Sequence, residues 1–175
     1  MSRHYGTLFQ HGYVVPDADA AAHDWAGRMG VGPFFVYPVP IPFQVLKIWD
    51  EPVSVQIHRR VLMGYTGPVQ IELIEPADAA SPYRDFLERR GAGLQHFGFL
   101  CDDFDAQLAA AEARGMVRAI EGRQALSRMC YLCDPADPDA PMIELVDLKP
   151  ERRQMFDRMR LPSVGWDGRD VIREL

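Results

Sequence analysis

The sequence predicts an α+β fold in which two paired β-α-β-β-β units build one cupped, mixed sheet. Three observations carry this. HGYVVPDADAAAHDWAGRMG (residues 11–30) and HFGFLCDDFDAQLAAAEARG (residues 96–115) follow one script: a His opens an apolar run, an acid ends it, and an amphipathic helical pattern closes on Gly. His11 and His96, like Asp17 and Asp102, stand 85 positions apart. Each copy then ends in the same short strand, Ile71-Glu72-Leu73 and Ile143-Glu144-Leu145. Finally, a unit of this size is too small to bury both faces of its own sheet. Two units must pair, with helices on one face and the other face free to line a cup.

In chain order, residues 5–15 run apolar and stop at Pro16-Asp17, a strand closing into a turn. Asp17 or Asp19 can cap a helix from Ala18 to about Met29, and Gly30 ends it. Ala21, Trp25 and Met29 recur every four residues and give that helix one packing face. The segment GVGPFFVYPVPIPF, with four prolines, predicts an edge strand followed by an extended loop. Ser54 to Met63 reads as a strand with Gln56, His58 and Arg60 on one face, and Val69 to Glu75 as the returning strand. A linker and a short polar helix through Arg90 lead to the second unit. There the pattern gives a strand (Leu94–Cys101), a helix (Phe104–Arg114) and three strands near Val117–Glu121, Leu126–Cys133 and Met142–Val146. His to Glu spans 61 positions in the first unit and 48 in the second, and the excess falls on the Pro-rich loop. One domain is expected over 1–148, with units at 5–75 and 94–148 and a linker at 76–93. A C-terminal helix and tail follow at 149–175.

Composition excludes several classes. A net charge of −6 and a pI near 5.3 argue against nucleic acid, whose phosphates need a basic surface. No apolar run approaches the roughly 18 residues of a membrane span, and the first residues lack a signal-peptide core. Three cysteines form no disulfide framework, so a reducing, cytoplasmic compartment is the expectation. Cys130 and Cys133 form a C-x-x-C within a strand, where odd spacing sends the thiols to opposite faces; they read as structural. His4 and His23 read as surface residues.

Glu72 and Glu144 sit mid-strand among apolar neighbours, where an unpaired carboxylate costs several kcal/mol. Two imidazoles, His11 and His96, on matching strands would compensate them if all four shared one divalent ion: Zn, Ni, Co, Mn or Fe(II). Octahedral geometry would leave two positions for water or substrate oxygens.

The strings HGYVVPDAD, VQIELIEP, LQHFGFLCDD and MIELVDL resemble the vicinal oxygen chelate superfamily, which includes glyoxalase I, methylmalonyl-CoA epimerase, extradiol dioxygenases and bleomycin-resistance proteins. The resemblance covers about residues 5–148 and looks closest to the epimerase branch. It implies His11, Glu72, His96 and Glu144 as metal ligands, a small-molecule substrate and assembly as a homodimer. It also implies an isomerase, epimerase or lyase that stabilises an enolate, with Glu144 or Glu72 as base. The family's epimerases carry a further carboxylate on the third strand of the first unit. Here that strand, SVQIHRRVLM, has none, and His58, Gln56 or Arg60 are left to stand in. His58 would be a second acid/base near neutrality. Arg60 would hold an anionic group, with Arg59 and Lys47 read more simply as a solvated face. Phe34, Phe35, Tyr37 and Phe43 would form a wall or lid over the cup, or pack in the core or a dimer contact. An Fe(II) dioxygenase and a non-catalytic binding protein of bleomycin-resistance type are the competing expectations.

Overall fold

The structure is a computed structural model that describes all 175 residues. In the first unit, β1 (Thr7–Val14) leads into α1 (Ala18–Met29), then β2 (Phe34–Tyr37), β5 (His58–Thr66) and β6 (Val69–Pro76). Between β2 and β5 lies an inserted hairpin, β3 (Val45–Ile48) and β4 (Glu51–Pro52). α2 (Pro82–Arg90) links to the second unit: β7 (Gly93–Leu100), α3 (Phe104–Glu112), β8 (Val117–Arg123), β9 (Ser127–Cys133) and β10 (Met142–Leu148). After it come α4 (Pro150–Arg160), one 3-10 turn (Leu161–Ser163) and β11 (Ile172–Arg173).

One sheet holds all the strands, in the order β11-β2-β5-β6-β1-β7-β10-β9-β8-β3-β4. Within each unit the first strand pairs parallel with the last, β1 with β6 and β7 with β10. The two first strands run antiparallel and form the seam between units. Across that seam Gln10 faces Gly98 and Gly12 faces His96, so a two-fold relation matches Gln10 to His96 and Gly12 to Gly98. The helix starts agree. Asp17 caps α1 by accepting from the Ala20 N–H, and Asp103 caps α3 by accepting from the Ala106 N–H. The repeat therefore runs at a separation of 86, where the sequence pattern aligned the two His motifs at 85.

Both units bury a helix against the convex face. Ala18 and Ala22 of α1 pack on Leu62, Ile71 and Leu73, while Phe104, Leu108 and Ala111 of α3 pack on Cys130, Leu132 and Leu145. Small residues in α1 let the backbone approach the sheet closely; Phe104 and Leu108 do the filling in α3. Strand alternation sends Cys130 into this layer and Cys133 toward the opposite one, and all three cysteines are free thiols.

The concave face is filled from its two ends by segments outside the repeat. After β2 the chain crosses from one outer edge of the sheet to the other, where β3 pairs antiparallel with β8. Trp49 and Asp50, both at positive φ, turn that hairpin. Leu46 joins Val14, Ile57, Ile74, Tyr83, Ile120 and Tyr131 in a core at this end. At the other end α4 lays Met155, Phe156 and Met159 on Phe35, Tyr37, Val61, Met63 and Tyr65. The tail predicted only as a helix plus an unpatterned stretch also adds β11 parallel to β2. No helix is long and apolar enough to cross a membrane.

Candidate active site

At the seam the cup floor carries Gln10 (β1), Glu72 (β6), His96 (β7) and Glu144 (β10), all of them buried. Their convergence follows from register: Gly12 lies opposite both Glu72 and His96, and Gly98 opposite both Gln10 and Glu144. Neither seam glycine is replaceable at no cost. A Cβ on Gly12 would be built into the His96 ring, and one on Gly98 would lie 2.8 Å from Gln10 Oε1 and 3.0 Å from Glu144 Oε2. The two glycines clear the space into which the four polar side chains project.

The polar atoms there face one another as acceptors. His96 Nδ1 lies 2.8 Å from Gln95 Oε1, a carbonyl-type oxygen that only accepts, so Nδ1 carries the proton. That leaves the Nε2 lone pair facing Glu72 Oε2 at 3.4 Å and Glu144 Oε2 at 3.6 Å. All three atoms are buried and without a hydrogen-bond partner. Gln10 donates through Nε2 to Gln70 Oε1 at 2.7 Å, and Gln70 donates in turn to Tyr65, which leaves Gln10 Oε1 toward Gly98 and Glu144. Burial raises the Glu144 pKa to about 7, with His96 opposing and Glu72 adding to the rise. Buried lone pairs aimed at one point are costly without a positive charge among them.

The residues present fit a divalent cation. One imidazole nitrogen, two carboxylate oxygens and an amide oxygen are a donor set for Zn or a comparable first-row ion. Neighbouring donors around such an ion stand about 3 Å apart when each is about 2.1 Å from it, close to the separations found. No group of three or more His, Cys, Asp or Glu side chains is drawn fully to ligating separation. The three orphaned atoms and the chemistry of the donors are what point to an ion.

His11 is not brought to this point. Gly12 faces His96 on the cup side, so strand alternation turns His11 to the other face, where its ring meets Phe97 edge-on at 5.2 Å. Burial, then His96, lowers its pKa. Gln10 stands in the place the motif assigned to His11. The separation of the helix caps, rather than of the His residues, is the sequence signal that finds it.

Above the floor is a cavity of about 60 Å³, bordered by Gln10, Glu72, Glu144, His58, Tyr37 and Arg152 among others. His58 is expected there and lies there, yet burial pushes its pKa down to about 3, so it is neutral where a near-neutral acid/base was expected. It stacks near Phe43 and lies tilted against Tyr83, and its Nδ1 has no partner. A register shift between His58 and Arg60 breaks the common face read from the sequence. Arg60 consequently pairs with Asp19 on the helix side. Gln56 is exposed and donates to the His58 carbonyl, and Phe35 packs under α4 without bordering the cavity. Arg59 pairs with Asp78 and Glu75, and Lys47 with Glu121, as a solvated face would. Of the aromatic segment, Tyr37 borders the cavity, whereas Phe34 is core. Gln124, Tyr131 and Arg152 line the site without having been singled out by sequence. Tyr131 sits edge-on to the His96 ring at 4.8 Å and holds its orientation.

Residues 9–133 match the model of the Glyoxalase/Bleomycin resistance protein/Dioxygenase superfamily. Methylmalonyl-CoA epimerase from Mycobacterium tuberculosis superposes with a TM-score of 0.62 at 22% identity, covering 88% of this chain and 96% of that one. A point variant of Streptomyces coelicolor methylmalonyl-CoA epimerase, in complex with 2-nitronate-propionyl-CoA, gives 0.60 at 21% identity, covering 82% and 98%. An uncharacterized protein, YqjC of Bacillus subtilis (strain 168), is 33% identical over 85 residues; the match spans 47% of this chain and 61% of that protein.

Proposed function

This chain belongs to the Glyoxalase/Bleomycin resistance protein/Dioxygenase superfamily, and from that premise we propose a divalent-metal-dependent isomerase, epimerase or lyase that moves a proton next to a carbonyl. The observation that carries the proposal is the buried triad of orphaned acceptors, His96 Nε2, Glu72 Oε2 and Glu144 Oε2, backed by Gln10. The likeness to epimerase structures supports the fold for such chemistry.

Gln10, Glu72, His96 and Glu144 would hold the ion, which supplies Lewis-acid charge opposite a substrate carbonyl. Gln95 keeps the His96 proton on Nδ1 and its lone pair inward. Glu144, at the cup floor beside the other donors, is assigned to take and return the proton next to the carbonyl. His58, neutral and with an open nitrogen, can accept or pass a hydrogen bond on the far side of the cavity. One chain provides all of these groups, so the chemistry needs no second copy.

Deuterium wash-in tests this. Methylmalonyl-CoA and short 3-oxo acids in heavy water, followed by NMR, should exchange their C–H beside the carbonyl only with the metal-loaded protein, and Glu144→Gln should abolish it. A metal-loaded protein that consumes oxygen with a catechol and exchanges no proton would instead be a dioxygenase.

A further inference from the structure

The cavity that holds the acceptor cluster is also bordered by a cation. Arg152, which α4 delivers from beyond the repeat, lines it together with Gln10, Glu72 and Glu144. Its guanidinium donates to the Tyr37 hydroxyl and, at 3.2 Å, to Gln124 Oε1, and it lies 5.3 Å over the Tyr37 ring. Tyr37 and Gln124 are neutral, and Arg152 makes no salt bridge, although most other arginines of the chain do. Its Nε–H is buried and unpartnered. A half-buried guanidinium with one buried, open donor and no counter-charge is costly for the protein alone, and a planar fork of this kind matches a carboxylate.

We propose that Arg152 is the substrate-recognition residue of this site and that the substrate carries a free carboxylate, bound by Arg152 while its carbonyl end faces Glu72, His96 and Glu144. The inference rests on the proposed function and narrows its substrate class. Tyr37 and Gln124 position the fork: Gln124 Oε1 accepts from both the Tyr37 hydroxyl and Arg152 Nη2, and Nε–H is the donor left without a protein partner. Phe156, on the same helix, stacks on Phe9 at 6.4 Å and helps seat α4 over the cup. The cavity of about 60 Å³ that Arg152 shares with the acceptor cluster suits a small ligand.

Calorimetric titration of malonate and of its neutral diamide, malonamide, into the full metal-loaded chain is the test. Wild type should prefer malonate at least about tenfold, as a charge-assisted fork would. Arg152→Gln should lose that preference while bound-ion content and melting temperature hold, and Arg152→Lys should recover part of it. Malonyl-CoA as a third ligand separates a free acid from a thioester acid, and whichever binds must lose affinity in Arg152→Gln. Equal weakening of malonate and malonamide, or unchanged malonate binding, would make Arg152 a latch for α4 and overturn the proposal. Ion content separates the two readings. Malonate selectivity that depends on Arg152 in a chain holding no ion keeps this inference and removes the metal. An ion without charge selectivity does the reverse.

Discussion

The two units share a backbone and differ in what they contribute to the floor of the cup. Each offers one residue from its first strand and one Glu from its last, yet the second unit gives an imidazole, His96, where the first gives a carboxamide, Gln10. The surroundings differ in step. His96 is fixed through Gln95 and packed by Tyr131, whereas Gln10 is fixed through Gln70 and Tyr65. The ends of the cup are closed by unlike additions as well, the β3–β4 strap over one and α4 over the other. A duplicated scaffold thus keeps the positions of polar groups while their chemistry drifts apart. A neutral amide oxygen beside two carboxylates and one imidazole makes the second unit the stronger half of the site.

The largest test of that asymmetry removes His96. His96→Ala should lower divalent-ion affinity at least about 100-fold, whereas Gln10→Ala should lower it about tenfold, since an amide oxygen is the weaker donor; equilibrium dialysis with elemental analysis reads both. Next in size are the seam glycines. Gly12→Ala places a methyl in the His96 ring and should destabilise the protein by about 2–4 kcal/mol, at the upper end of overpacking costs. Gly98→Ala, whose Cβ would lie 2.8 Å from Gln10 Oε1 and 3.0 Å from Gln10 Cβ and Glu144 Oε2 rather than inside a ring, should cost less, and denaturant melts of the two rank them. Restoring symmetry is the sharper experiment: Gln10→His should tighten ion binding by about tenfold.

A pH test concerns the strap end. The folded pKa of His58, about 3, lies below its unfolded value of 6.5, so the unfolded chain takes up a proton that the folded one refuses. The resulting stability is fully present above pH 6.5 and drains away as pH falls toward 3. Wild type should lose several kcal/mol more than His58→Gln across that window in acid-titrated unfolding curves. The smallest effect is expected on the helix side, where Arg60→Ala breaks a half-exposed pair with Asp19 and should shift stability by under about 1 kcal/mol, with ion binding unchanged.

Much of the fold was legible because its signals are local. Asp17, Gly30 and the apolar spacing between them mark α1 at both ends, and the mid-strand glutamates mark β6 and β10. The His motifs misled because an Asp pair, Asp102-Asp103, offers two registers, and only Asp103 caps α3. A one-residue slip reverses the face of every side chain in a strand, and it put His11 in the place of Gln10. The bulge at His58 had no sequence signal, so Arg60 was misassigned with it. Arg152 was out of reach for a different reason. A helix after Pro150 is readable, but where it docks depends on the apolar face of Phe35, Tyr37 and Met63, brought together only by the sheet.

The most direct measurement is the ion content of three purified proteins: wild type, His11→Ala and His96→Ala. If the second unit's imidazole holds the ion, wild type and His11→Ala carry about one divalent ion per chain, and His96→Ala carries none. Loss of the ion in His11→Ala with retention in His96→Ala, or no ion bound by wild type even after addition of Zn, Ni, Co or Mn, would contradict that assignment.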